Sequence, residues 1–184
     1  MEGKDKFQLS TNTAFYLLKH FTEITSVEQH ELCNAGKLLS EINQKLKFVG
    51  SKFNHQNISG YYHLLELINT KNANMIIQQS NGRKAYIYEF DMIIGTDSIF
   101  PILALTEYQK SQIEKVERDG VFIRTFKGEA LHTKQLVLIA EGSLVITCYP
   151  GTFAPPLPNN SMENELLREC NEFWDNHLFV ITEK

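Results

Sequence analysis

The dipeptide Asn81-Gly82, set between two β-prone runs in "NMIIQQSNGRKAYIYEFDMIIG", is the strongest local constraint on this chain. Asn-Gly tolerates the positive backbone angles of a tight type I′ turn, so the flanking runs are expected to fold back as an antiparallel hairpin. More strand candidates follow it. "IFPILALT" has Pro101 near its start, as an edge strand allows. "VFIRTF", "LHTKQLVLIA" and "SLVITCYP" complete the set, the last two joined at Glu141-Gly142. Between them, "TEYQKSQIEKVERDG" reads as a short exposed helix ending near Asp119-Gly120.

Upstream of the hairpin the period changes from two to between three and four. "TNTAFYLLKHF" offers a Thr or Asn cap followed by an apolar patch, a first helix of two or three turns. Ser26 and Gln29 have capping-box spacing, and Leu32, Ala35, Leu38 or Leu39, Ile42, Leu46 and Val49 recur helically up to Gly50. A third helix runs through "NISGYYHLLELINTKN", with Tyr61, Leu64, Leu65 and Ile68 inward. A helix from about Ser161 to Asn176 and a strand "LFVIT" close the chain. The expected class is therefore α+β: N-terminal helices over about 11–72, a largely antiparallel sheet over 74–150, a proline connector over 150–158, and a C-terminal helix and strand over 161–182. A chain of 184 residues, 42% hydrophobic, can bury one substantial core, so residues 1–184 are expected to form one domain.

Charge and cysteine usage narrow the function classes. The formal charge of −4 supplies no global field to gather polyanions, so any nucleic-acid binding must be local. Cys33, Cys148 and Cys170 are odd in number and lack CxxC or short Cys/His spacing, which argues against a disulfide framework or structural zinc. The N-terminus lacks an apolar signal core, and no run approaches 18 apolar residues. No membrane partner and a cytoplasmic location are expected, with signal-less secretion left open. Phosphate-binding, dinucleotide-binding, zinc-protease, hydrolase-elbow and calcium-loop motifs are missing, and neither metal nor cofactor is expected.

One polar constellation remains, in "VFIRTFKGEALHTKQLVLIAEGSLVITCYPG". Alternation puts Val145, Thr147 and Tyr149 on one strand face, with Ile146 and Cys148 on the other. A hairpin at Glu141-Gly142 would set Thr147 and Tyr149 near Lys134 and His132, with Arg124 and Lys127 on the preceding strand. Cleavage of RNA by its own 2′-hydroxyl needs a base, an acid and cations to hold the phosphorane charge. Here His132 would be base or acid, Tyr149 the complementary donor, Arg124 and Lys134 the clamp, and Thr147 a phosphate ligand, with Lys127 and Thr133 contacting substrate.

"GSLVITCYPG" resembles the last core strand of the EndoU and barnase/colicin/RelE-like ribonuclease group, in which a strand often ends in Thr-x-Tyr/Phe-Pro after strands bearing His, Lys or Arg. The resemblance covers about 30 residues, and the preceding "RTFKGEALHTKQLVLIAEG" is compatible with it. It implies RNA as partner and a metal-independent phosphodiester cleavage. His132 is the only histidine in the matching stretch; His55 and His63 lie outside it. The alternative is a non-catalytic acidic module, an inhibitor or adaptor. It would bind a protein partner through the acidic last helix, with Glu163, Glu165, Glu169, Glu172 and Asp175, or through the Pro155–Pro158 segment.

Overall fold

The computed structural model describes residues 6–48, 50–79, 81–118 and 121–181. These form, in chain order, α1 (Thr11–Leu17), α2 (Ser26–Asn34), α3 (Leu39–Leu46), α4 (Tyr61–Thr70), β1 (Met75–Gln78), β2 (Lys84–Glu89), β3 (Gly95–Asp97), β4 (Ile99–Pro101) and α5 (Glu107–Ser111). They continue with β5 (Glu114–Arg118), β6 (Val121–Lys127), β7 (Leu131–Thr133), β8 (Gln135–Glu141), β9 (Leu144–Pro150), α6 (Asn164–Asp175) and β10 (His177–Ile181). The class is α+β. One sheet has the order β1-β2-β8-β9 and is antiparallel throughout. A second, β4-β10-β6-β5, is mixed because β10 runs parallel to β6, and β3 pairs with β7 in a two-stranded ribbon.

Helix boundaries follow capping chemistry. Ser10 caps α1 by accepting from the Thr13 N–H, and α1 continues into a tighter turn over Leu18–His20. The capping box of α2 is Thr25 with Glu28, one residue before the expected Ser26 and Gln29. The single long helix expected up to Gly50 is two, α2 and α3. Gly36, at φ 94°, takes the left-handed conformation that ends helices and turns the chain before Leu39. Val49, counted in that periodicity, lies outside the described residues.

The hairpin around Asn81-Gly82 forms, but one residue longer than a type I′ turn. Gln79 donates to the Arg83 carbonyl and Gly82 donates back to Gln79, which leaves three residues in the loop. Pro101 is on an edge strand as expected, since β4 borders its sheet. "TEYQKSQIEKVERDG" is helical only over α5, which Thr106 caps. The Glu114–Arg118 run instead pairs with β6. Its expected end, Asp119-Gly120, lies outside the described residues.

The first sheet is covered on both faces. Leu136, Leu138 and Ala140 pack with Leu17, Leu18, Phe21, Ile42, Leu64 and Ile68 from the helical part. Val137 and Ile139 face the other way, beside their cross-strand neighbours Ile87 and Ala85, with Ile146, Tyr149 and Phe153 packed against them. All five residues from Leu136 to Ala140 are buried. An N-terminal segment is tied in beside β9: Gln8 donates to the Ser143 carbonyl and accepts from the Val145 N–H.

Leu138→Ala is expected to lower stability by about 2–5 kcal/mol, the usual cost of a cavity at a buried leucine. Leu103→Ser, at a side chain 85% exposed, should stay within about 0.5 kcal/mol of the parent. Urea unfolding of both variants checks this.

Candidate functional site

The side chains with the most chemistry in common converge on one cavity of about 370 Å³. The turn after α1 supplies Lys19 and His20, and the segment after α3 supplies Phe48 and Ser51. Ser98 and Ile99 come from the start of β4, and Thr147 and Tyr149 from β9. Ala154, Trp174 and Phe179 close the remaining sides.

Thr147 and Tyr149 share a face because they pair with Ile139 and Val137, both on the side away from the helices. Val145 does not join them. Ile139 pairs with Thr147 whereas Ala140 pairs with Val145, so Ile146 is left over as a β-bulge. The extra residue inverts the alternation, and Val145 packs into the helical core together with Cys148. The expected grouping of Val145 with Thr147 and Tyr149 is thereby corrected. At the end of β9, Gly151 takes φ 118°, and a Cβ there would come within 2.6 Å of the Asp97 carboxyl carbon. The chain can turn out of the sheet this close to β3 only because that position lacks a side chain.

The opposite wall is held by a buried serine pair. Ser51 Oγ and Ser98 Oγ are 2.9 Å apart, and the Ser98 N–H donates to Ser51 Oγ at 3.1 Å. The Phe53 N–H donates to the His20 carbonyl at 2.6 Å, and Val180 donates to the Ser98 carbonyl. Lys52 Nζ donates to the carbonyls of Phe21 and Leu46, anchoring the same segment. His20 is thus held from its backbone and from its ring.

His20 Nδ1 lies 2.9 Å from the Ser51 carbonyl. A carbonyl only accepts, so Nδ1 carries the hydrogen, and Nε2 keeps its lone pair. Among the described residues nothing hydrogen-bonds to that Nε2. Burial pushes the imidazole pKa down from 6.5 to about 3, with Lys19 and Lys52 adding to the effect against the Ser51 hydrogen bond. The ring is therefore neutral at physiological pH. Tyr149 moves the opposite way: burial pushes its phenol up to about 12, which keeps the proton on. The Ala154 N–H donates to its hydroxyl at 3.4 Å. The two ring centroids are 5.9 Å apart. Burial and neighbouring Lys45 lower the Lys19 pKa. A neutral acceptor, a protonated donor and an ammonium group around one cavity constitute an acid–base set.

Of the residues singled out from the sequence, the structure brings Thr147 and Tyr149 together and leaves the others elsewhere. "LHTKQLVLIA" is two strands, because the chain changes partner at Lys134. His132 sits exposed on β7 opposite Thr96, and Thr133 Oγ1 accepts from the Gln135 N–H. Lys134 is exposed, with its carbonyl taken by the Phe90 N–H. Tyr149 and Thr147 face Val137 and Ile139 in place of Lys134 and His132. Arg124 lies in the other sheet, donating to the Trp174 carbonyl at 3.0 Å with Asp175 at 3.7 Å, an anchor for the end of α6. Lys127, on the same strand, pairs through its backbone with Ile181. His55 lies 3.7 Å from Glu23, and His63 Nδ1 accepts from the Ser59 N–H, both away from the cavity.

Lys19, His20, Ser51 and Ser98 were not singled out from the sequence. "LLKHF" did carry one signal: two apolar residues, both fully buried, followed at once by two titratable ones at a helix end. The acidic residues of α6 are exposed, while Trp174 Nε1 donates to the carbonyls of Pro155 and Pro156 and so fastens the connector to the helix. Cys33, Cys148 and Cys170 are free thiols. Among the described residues no cluster of three or more His, Cys, Asp or Glu could hold a metal, and no helix is long and apolar enough to cross a membrane. No protein-family model matches the chain, and no curated protein matches it.

The shifted histidine has a thermodynamic signature. The unfolded chain takes up the His20 proton near pH 6.5 and the folded one only near 3. Within that window the unfolded state binds more protons, so His20 subtracts from stability as pH falls through it. NMR titration of the ring C–H signals should show one histidine still neutral at pH 5, and that signal should vanish in His20→Leu. A His20 that titrates near 6.5 would contradict the buried geometry.

Proposed function

We propose that this protein cleaves RNA at the cavity between α1 and β9, using side chains alone. The observation that carries the reading is the convergence of His20, Tyr149, Lys19 and Thr147 on one solvent-open cavity. His20 Nε2 takes the proton from the ribose 2′-hydroxyl as its oxygen attacks phosphorus. Tyr149 gives its proton to the departing 5′-oxygen as the P–O5′ bond breaks. The products are a 2′,3′-cyclic phosphate and a 5′-hydroxyl; no water or redox partner is consumed. Solvent then returns the proton from His20 to the phenolate. Lys19 offsets the charge that builds on the phosphorane, and Thr147 donates a hydrogen bond to a phosphate oxygen.

The low pKa of His20 suits this use. An imidazole with so little proton affinity is a weak base in the empty cavity, but the negative charge of an entering phosphodiester raises that affinity where the proton must be received. The Thr-x-Tyr-Pro ending of β9 gives independent support, because its two polar side chains are the ones that reach the cavity.

Incubation with RNA in EDTA should yield cyclic-phosphate ends. His20→Ala and Tyr149→Phe should each lose about 10²–10⁴-fold in rate, the usual share of a general acid or base, whereas His132→Ala should keep the parent rate. No cleavage by the parent protein, or equal cleavage by His20→Ala, rejects the reading. The acid limb of kcat/KM reports the free protein and should fall well below pH 6.5, in line with the depressed His20.

A further inference from the structure

The helical rim of the cavity carries a pattern that acid–base chemistry does not require. Tyr16, one turn before the site on α1, is 61% exposed, and Phe48, after α3, is 48% exposed and lines the cavity itself. Lysines lie over Tyr16 and over Phe15 beside it. Lys45 Nζ stands 4.6 Å from the Tyr16 ring centre and 5.3 Å from that of Phe15, and Lys37 Nζ stands 4.7 Å from Phe15. Lys45 is also close enough to Lys19 to depress its pKa, which links the rim to the cavity floor. The result is a cluster of Lys37, Phe15, Tyr16 and Lys45 that adjoins Lys19, with Lys19 and Phe48 both lining the cavity, in a chain whose net charge is −4.

Aromatic rings interspersed with ammonium groups suit an unpaired nucleic-acid strand, which offers a flat base and an anionic phosphate in each nucleotide. A duplex does not fit such a track, because its bases are stacked on one another and closed to the rings. Cation–π contacts hold the lysines against the ring surfaces, so their charges are already placed where phosphates would lie. We infer that the Phe15–Phe48 rim is a binding track for single-stranded RNA, which stacks bases on Tyr16 and Phe48 and leads the backbone past Lys45 and Lys19 into the cavity. The inference rests on the cleavage reading for its choice of RNA, but it concerns recognition and is tested by binding.

The probe is a short, fluorescein-labelled oligouridylate with 2′-O-methyl groups, which removes the nucleophile and separates binding from cleavage. Fluorescence anisotropy at low salt should show the parent protein binding this strand more tightly than the same strand annealed to its complement. Tyr16→Ser should weaken binding by about tenfold, as expected for one lost base stack. Lys45→Gln should reduce the slope of log K against log salt by about 0.7, one phosphate contact on a single strand. Absent binding, equal affinity for the duplex, or unchanged affinity in both variants overturns the track. The two readings separate cleanly. Binding with these responses but no cleavage of ordinary RNA removes the catalytic reading and leaves the track; cleavage with affinity unchanged in both variants does the reverse.

Discussion

Strand β8 sets the condition that the rest of the molecule satisfies. Its five central residues, Leu136 to Ala140, are all buried, and a strand with apolar side chains on both faces must be covered on both. The helices α1, α3 and α4 supply one cover through Leu17, Leu18, Ile42 and Leu64. On the other face Ala85, Ile87 and Tyr149 are its neighbours within the sheet, and Phe153 of the connector packs against them. The cavity lies on that second face, where the Tyr149 ring stands 5.9 Å, centre to centre, from the ring of His20 in the turn that leaves α1.

The bulge at Ile146 makes that geometry compatible with packing. Without the extra residue, strict alternation would put Val145 on the same side as Thr147 and Tyr149, and an aliphatic side chain would leave the helical core. With it, Val145 and Cys148 both serve the core, and the two hydrogen-bonding side chains are free to face the cavity. Downstream, Trp174 and Arg124 fasten the connector and the end of α6 to the second sheet. The proline segment is therefore held against the last helix.

Burial also produces the site's electrostatics. The same enclosure drives His20 toward its neutral form and Tyr149 toward its protonated form, because charge is disfavoured for both. An unprotonated ring nitrogen and a protonated phenol thus arise without a dedicated charged partner, and the Ser51 carbonyl selects the tautomer. Lys19, Lys37 and Lys45 place local positive charge near the end of α1 in a chain whose net charge is negative.

Local chemistry in the sequence determined much of the frame: the hairpin at Asn81-Gly82, the turn at Gly142, the edge position of Pro101, the α+β class and the shared face of Thr147 and Tyr149. These depend on turn residues and short-range alternation, which act over a few residues. Other features depended on long-range pairing. Whether "LHTKQLVLIA" is one strand or two was settled by β3 and β2 pairing with its halves, and the register of the β8–β9 hairpin, which sets Tyr149 opposite Val137, kept His132 away from Tyr149. His20 met Tyr149 across more than 120 residues of sequence because α1 and β9 cover a common core. The identities and periods of residues were enough for the elements; which titratable groups share a cavity was decided only by how buried faces had to be covered.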